Sequence, residues 1–120
     1  MKTEASNVSS YLDIPDEPSP PAVPKICGNS ALVQWQPPFN GNSPITGYSL
    51  ECKKVGEKSW TMVCFGIKEC ITVVDDLESE SSYRFRVVAE NEVGQSPFSK
   101  PSGFVETKKS GMWLMLSDDD

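Results

Sequence analysis

The feature that most constrains the fold is an alternating stretch centred on Phe85. Every second position there is apolar, with polar or charged residues mostly between, and the apolar set is Tyr83, Phe85, Val87 and Ala89. Side chains along a β-strand point alternately to its two faces, so this pattern predicts a half-buried strand over residues 83–90. Leu77 precedes Tyr83 by six residues across a polar corner. This spacing is typical of a tyrosine corner, in which the tyrosine hydroxyl bonds back to the chain upstream.

Six more short apolar runs are separated by turn residues, and many of the 10 prolines and 8 glycines lie between them. They predict strands at residues 22–27, 31–36, 45–54, 60–65, 70–74 and 99–107. Seven short strands with turns at this spacing predict an all-β sandwich. We expect Trp35 at the centre of its core. The predicted core residues are Trp35, Tyr48, Leu50, Leu77, Tyr83, Phe85 and Val87.

Length and charge limit the kinds of partner. A chain of 120 residues is enough for one domain. Its formal net charge of −6 argues against a nucleic-acid partner, since phosphate binding needs a basic surface. No apolar run is long enough to cross a bilayer, so we predict no membrane insertion. The sequence has neither histidine nor a glycine-rich phosphate loop, so we predict no enzyme, no cofactor and no small-molecule substrate.

The cysteines are open to two interpretations. They are Cys27, Cys52, Cys64 and Cys70. No pair has Cys-x-x-Cys spacing and histidine is absent, so no zinc site is predicted. Their even number allows a disulfide framework. Cys52, however, is in phase with inward-facing Tyr48 and Leu50, which favours buried free thiols and a reducing compartment.

Two groups of charged residues are candidates for ion binding. Carboxylates crowd the turn before Tyr83, at Asp75, Asp76, Glu78 and Glu80. Hard cations prefer oxygen ligands, but the spacing of a calcium loop is absent, and we interpret the group as a solvated acidic corner. Arg84, Arg86 and Glu51 are all predicted to face outward from their strands. A cross-strand charge ladder is the favoured interpretation, with an anion site as the alternative.

The ends of the chain differ in composition from the middle. Residues 1–17 are polar, acidic and without periodicity, which predicts a disordered leader before a domain at residues 18–108. Residues 109–120 form a tail with an acidic end and an apolar cluster of Trp113, Leu114, Met115 and Leu116. Such a cluster normally needs cover, so these four residues are candidates for partner binding. The cluster could dock on the domain's own sheet, on a neighbouring module or on a second copy. The alternative is a linker fragment that has lost its cover.

Several short motifs in a fixed order resemble the fibronectin type III domain over residues 18–108. They begin with Pro18-Ser19-Pro20-Pro21 and Val33-x-Trp35-x-Pro37-Pro38, followed by Gly41-x-Ser43-Pro44-Ile45-Thr46-Gly47-Tyr48 and Trp60. Leu77-x5-Tyr83-x-Phe85-Arg86-Val87-x-Ala89-x-Asn91-x-x-Gly94 and Ser96-Pro97 complete the pattern. The resemblance implies an immunoglobulin-like sandwich of seven strands, with sheets A-B-E and C′-C-F-G and no disulfide.

The loops of this pattern look most like those of intracellular muscle giant proteins and kinases, such as titin and twitchin. That likeness implies a non-catalytic spacer or scaffold module of a larger multidomain cytoskeletal, sarcomeric or kinase-linked protein, with protein partners and a cytoplasmic location. The alternative is an extracellular adhesion or receptor module of the same family. An integrin-binding Arg-Gly-Asp is absent from the loop that reads Asn91-Glu92-Val93-Gly94-Gln95.

Overall fold

The computed structural model describes residues 11–109 and the backbone of residues 113–115. Its strands are β1 (Ala22–Cys27), β2 (Ser30–Gln34), β3 (Gly47–Lys54), β4 (Thr61–Ile67), β5 (Ile71–Val74), β6 (Ser82–Glu90), β7 (Val105–Glu106) and β8 (Trp113–Met115). They form two antiparallel sheets with strand orders β5-β2-β1-β8 and β4-β3-β6-β7. The first seven strands occupy the positions E-B-A and C′-C-F-G, which confirms the predicted sandwich, and β8 extends the first sheet.

The core lies between the two sheets. In the first sheet Ile26, Ala31 and Val74 occupy one row across β1, β2 and β5, and all three are fully buried. In the second sheet β3 and β6 pair without interruption over eight residues, and this pairing fixes which side chains face inward. All seven side chains predicted for the core are buried. The rings of Trp35 and Tyr48 meet edge to face, with centroids 5.5 Å apart.

The corner before β6 is closed by Tyr83. Its hydroxyl accepts a hydrogen bond of 2.9 Å from the backbone N–H of Glu78. The ring is buried and the hydroxyl is satisfied, which is the arrangement that a tyrosine corner requires. Leu77 is buried at the same corner, and its backbone N–H donates to the carbonyl of Asn29 in the turn between β1 and β2.

The segment after β6 is less regular than predicted. Only Val105–Glu106 is a strand, where the sequence predicts one over residues 99–107. Instead, three serines dock on β6. Ser96, Ser99 and Ser102 each donate a backbone N–H to the carbonyl of one β6 residue and accept that residue's N–H on Oγ; the partners are Ala89, Val87 and Phe85.

This serine ladder explains the missing strand. Its members recur every three residues, whereas their partners on β6 recur every two, so two regular strands could not stay in register. Pro97 and Pro101 lie between the serines and have no N–H to donate. Serine hydroxyls therefore satisfy backbone donors of β6 that a neighbouring strand would otherwise satisfy.

The chain contacts the domain at both predicted boundaries. The sequence predicts a leader that includes residues 11–17, and in the structure the N–H groups of Asp13 and Asp16 in this segment donate to the carbonyls of Gly41 and Phe39. Backbone hydrogen bonds hold this segment, and the polarity of its side chains does not reveal them. The rest of the predicted leader, residues 1–10, lies outside the described residues.

The predicted tail also contributes to the fold. β8 pairs antiparallel with β1, placing Trp113 opposite Cys27, Leu114 opposite Ile26 and Met115 opposite Lys25. Three docking sites were considered for the apolar cluster, and in the structure its residues 113–115 pair with the edge of the domain's own first sheet. The free edge of β1 explains this, because unpaired N–H and C=O groups on an edge strand accept another strand. Leu116 lies outside the described residues.

Candidate interaction surfaces

The first candidate surface is the end of the sandwich where the chain enters the domain. Here residues 11–17, which we call the strap, cross the loop at residues 39–42 and the loop at residues 91–95. Asn91 joins all three segments. Its Nδ2 donates to the carbonyls of Asp13 at 2.7 Å and Asn40 at 2.9 Å. Its Oδ1 accepts from the N–H groups of Val93 and Gly94 at 2.9 and 3.1 Å.

Asn91 is only 3 % exposed, so its amide needs partners for all of its hydrogen-bonding capacity. The four bonds supply them. Asn91 and Gly94 belong to the family-like motifs of the sequence, but the sequence did not indicate what they hold. The structure gives that role: they tie the strap to the loops.

Gly41 is the second residue that the strap requires. Its φ of +74° lies in the left-handed region that favours glycine. A Cβ atom at this position would lie 2.2 Å from the carbonyl oxygen of Asp13. Close backbone approach therefore adds to the conformational reason for glycine. Large apolar side chains remain exposed around this end, including Tyr11 at 72 %, Leu12, Phe39 and Val93.

The second candidate surface is the outer face of the second sheet. We call it the cationic face and define it by Lys53, Trp60, Arg84, Arg86, Phe98 and Phe104. Arg86 lies between two rings, its Cζ 3.8 Å from the centroid of Phe98 and 4.4 Å from that of Trp60. Its Nε and Nη2 donate to Oε1 of Glu51 at 2.9 and 2.7 Å. Of the predicted charge ladder, the structure thus contains one cross-strand pair, Arg86 with Glu51, reinforced by stacking.

Arg84 has a different environment, although it is two residues from Arg86 on the same strand. The residue opposite it in the register of β3 and β6 is Lys53, which has the same charge. The Cζ of Arg84 lies 4.8 Å from the centroid of Phe104, and Nζ of Lys53 lies 5.8 Å from that of Trp60. Among residues 11–109, neither cation forms an ion pair with a carboxylate. The charge ladder therefore covers only the Arg86 half of this face.

Two carboxylates of the acidic corner are held by contacts within the fold. Asp75 accepts a hydrogen bond of 2.8 Å from the hydroxyl of Ser30, and Glu78 pairs with Nζ of Lys54 at 2.6 Å. This hydrogen bond raises the pKa of Lys54 above its usual range. In the described part of the chain, no three acidic or cysteine side chains converge as metal ligands would. Asp76 and Glu80 both have positive φ, as residues of tight turns often do.

The four cysteines are free. Burial raises the pKa of the Cys52 thiol to about 11, and the nearby charge of Glu57 adds to the effect. Burial also raises the pKa of Tyr48 far above its usual range, and its hydrogen bond with Cys70 adds to this. A thiol with a raised pKa is a poor nucleophile at neutral pH, because the thiolate is the reactive form.

Residues 11–109 form a solid sandwich in which we find no ligand-sized cavity. Nor does this part of the chain contain a helix long and apolar enough to span a bilayer.

Curated proteins similar to this chain are much longer than it is. The chain is 38 % identical over 89 residues to Striated muscle preferentially expressed protein kinase of Danio rerio, covering 74 % of this chain and 3 % of that protein. It is 35 % identical over 95 residues to cardiac-type Myosin-binding protein C of Rattus norvegicus, with coverages of 75 % and 8 %. It is 33 % identical over 90 residues to Cell adhesion molecule-related/down-regulated by oncogenes of Homo sapiens, with coverages of 73 % and 7 %.

The solved structures similar to this chain also come from larger proteins. The structure of titin kinase and its flanking domains superposes with a TM-score of 0.75 at 35 % identity, covering 81 % of this chain and 18 % of that one. The twitchin kinase region from C. elegans has a TM-score of 0.75 at 28 % identity, with coverages of 80 % and 17 %. Residues 16–105 match the model of the family described as Fibronectin type III domain.

Proposed function

The chain belongs to the fibronectin type III family, and we propose that it is a structural and protein-interaction module of a larger multidomain protein. Domains of this family are non-catalytic modules. Within that class we assign it to a cytoskeletal, sarcomeric or kinase-linked protein, where it acts as a spacer or scaffold unit with protein partners. Its similarity to a striated-muscle kinase and to titin supports this assignment.

The observation that carries the proposal is the strap. A spacer must hold the chain that precedes it in a set direction, and a flexible linker cannot do this. Here the backbone of the strap is hydrogen-bonded to two loops of the domain through Asp13, Asp16 and Asn91. These contacts fix the direction in which the polypeptide meets the sandwich.

An antibody against residues 11–109 tests the location. In muscle cells of the source organism, we expect the antibody to stain in a striated pattern, and only after the cells are permeabilised. Surface staining of intact cells would contradict the proposal and favour the alternative, an extracellular adhesion or receptor module. The similarity to a cell adhesion molecule-related protein is what keeps that alternative open.

The thiols provide an independent test of the same question. If the protein is isolated from cells without reductant, four free thiols are expected for a module that works in the cytoplasm. A disulfide, or a glycan on Asn7, would support the extracellular alternative. Asn7 stands in an Asn-Val-Ser sequence, which is an acceptor pattern for N-glycosylation.

We further propose that Trp113, Leu114, Met115 and Leu116 contribute to partner binding. The same segment that pairs with β1 would then contact a partner, either beside β1 or after leaving it. The test is a pull-down with the full chain and with a chain lacking residues 111–116. Loss of partner recovery supports this role for the tail, and unchanged recovery removes the tail from it.

A further inference from the structure

We propose that the cationic face binds an acidic segment of a partner protein, with a carboxylate seated between Lys53 and Arg84. The inference rests on the proposed interaction function and specifies one of its surfaces. It starts from a charge imbalance. The whole chain has a formal net charge of −6, whereas this face presents three cations, Lys53, Arg84 and Arg86, of which Arg86 alone forms an ion pair among residues 11–109, with Glu51.

Lys53 and Arg84 are the uncompensated pair. They are direct neighbours across β3 and β6, and like charges in that position destabilise a sheet. Nε of Arg84 is buried without a hydrogen-bond partner among the described residues. Its remaining guanidinium donors are the ones available to a ligand. A carboxylate between the two cations would relieve their repulsion and accept charge-assisted hydrogen bonds from both.

The neighbouring residues make this site rigid. Arg86 is held by two rings and by Glu51, and the side chains of that ion pair are only 25 % and 15 % exposed. Arg84 lies over Phe104, which is itself 53 % exposed and so offers an apolar surface beside the charges. Side chains that are already ordered lose little entropy on binding. A cationic pair flanked by an exposed ring, with its arginine stacked on that ring, fits a segment that alternates acidic and apolar residues.

The same observations favour a protein over a nucleic acid. A phosphate backbone brings closely spaced negative charges, and its affinity grows with the number of cations that it meets. Here only two cations are uncompensated, and the carboxylate of Glu51 lies on the next outward-facing pair along the strands. The net negative charge of the chain also repels a polyanion over distance. A short segment with isolated carboxylates avoids both penalties.

The test uses the ¹⁵N-labelled full chain and a capped peptide, Gly-Glu-Val-Glu-Phe-Glu-Gly, followed by amide chemical shifts. We expect the largest shifts at Lys53, Arg84 and Phe104, and an affinity that falls as salt is raised. Lys53→Ala and Arg84→Gln should each weaken binding about fivefold or more, because each removes one charged partner of the carboxylate. Phe104→Ala should weaken it about threefold without changing the charge of the face.

Lys25→Ala is the matched control. Lys25 is exposed on the outer face of the other sheet and its removal changes the net charge by the same amount. The inference is overturned if Lys25→Ala weakens binding as much as Lys53→Ala, or if the peptide with glutamine in place of glutamate binds equally well. Tighter binding of oligothymidylate at the same amides would also overturn it. The inference would also be overturned if removing residues 117–120 raised the affinity for the peptide more than threefold, because the chain's own acidic end would then be the ligand.

The outcome is separable from that of the proposed function. Peptide binding is measured on the purified chain and does not depend on where the parent protein resides. Absence of binding with striated staining would overturn only the assignment of this face. Binding with surface staining would overturn only the cytoskeletal assignment.

Discussion

The side-chain amide of Asn91 donates a hydrogen bond to the carbonyl of Asp13, which precedes it by 78 residues. This bond joins the chain that enters the domain to the loop that follows β6. Because the same amide also donates to Asn40, one side chain determines how three separate segments are arranged. The strap is therefore part of the folded domain, and its behaviour can be tested residue by residue.

Asn91→Ala should release the strap. The substitution leaves the carbonyls of Asp13 and Asn40 without this donor in a buried site, so we expect a loss of about 1–3 kcal/mol in the free energy of unfolding. Amide hydrogen exchange at Asp13 and Asp16 should accelerate more than exchange in β3. Thr46→Ala is the control, because its hydroxyl donates to an exposed carbonyl, that of Glu90, makes no bond to the strap, and its loss should cost little. Unchanged exchange at Asp13 would contradict this role of Asn91.

Gly41→Ala should destabilise the domain more than Gly56→Ala. Both glycines have positive φ, so both substitutions introduce backbone strain of about 1 kcal/mol or more. Only at Gly41 would the new Cβ also collide with the backbone of Asp13; at Gly56 nothing lies within 4 Å. Thermal unfolding of the two variants gives the comparison. An equal loss of stability in the two variants would mean that the strap moves away from the new Cβ at no cost in free energy.

Ser99→Ala tests the serine ladder. It removes the Oγ that accepts the buried N–H of Val87, and an unsatisfied buried N–H costs about 1–3 kcal/mol. Ser81→Ala is the control, since that hydroxyl donates to an exposed carbonyl in a turn and its removal should change stability little. The measurement is chemical denaturation of both variants. A Ser99→Ala variant as stable as Ser81→Ala would show that water replaces the hydroxyl.

Cys52 should be the slowest cysteine to react with iodoacetamide at pH 8, because it is buried and its pKa is raised to about 11. Its ionisation also affects stability. Between its ordinary pKa of 9.0 and about 11, the unfolded thiol loses its proton while the folded one keeps it. The unfolded state then binds fewer protons, so the Cys52 contribution to stability is full below pH 9 and falls as pH rises.

Two measurements check this prediction. Mass spectrometry after timed alkylation should find Cys27, Cys64 and Cys70 modified before Cys52. Denaturation at a series of pH values from 8 to 11 gives the free energy of unfolding. It should fall less steeply with pH for Cys52→Ala than for the unsubstituted chain, since the variant lacks this titration. An equal dependence of the free energy of unfolding on pH in the two proteins would show that the thiol ionises equally in the folded and unfolded states.

The strands and the core were accessible from the sequence because side-chain alternation records which residues face inward. Tyr83, Phe85 and Val87 alternate without exception, and eight of the nine residues of their strand pair with β3. That one pattern, with the corner at Leu77, was enough to predict the sandwich. The fold family followed from the order of the loop motifs, and the match over residues 16–105 confirms it.

The strap and the serine ladder were not accessible in the same way. The strap is held largely through backbone groups, and backbone groups are the same at every residue, so its polar sequence resembled a disordered leader. The serine ladder repeats every three residues, a period that belongs to neither a β-strand nor an α-helix. Signals were present in Asn91, Gly41 and the spaced serines, but their meaning depends on contacts between distant segments.

The cationic face could be predicted from the sequence only in part. Alternation placed Arg84, Arg86 and Glu51 on the outer side of their strands and predicted a charge ladder without saying which arginine pairs with Glu51. The register of β3 against β6 decides which charge opposes which, and it sets Lys53 opposite Arg84. A sequence does not state that register directly. The difference between a neutralised pair and an uncompensated one therefore emerged only in three dimensions.

The direction of β8 has a mechanical consequence. Because β8 runs antiparallel to β1, the chain at Met115 is heading back toward the end of the sandwich where the strap enters. Tension between the strap and any residue after Met115 would unzip β8 from β1 one bond at a time, whereas tension along the long axis would shear strands all at once. β8 would thus yield at low load and release slack while the sandwich remained intact.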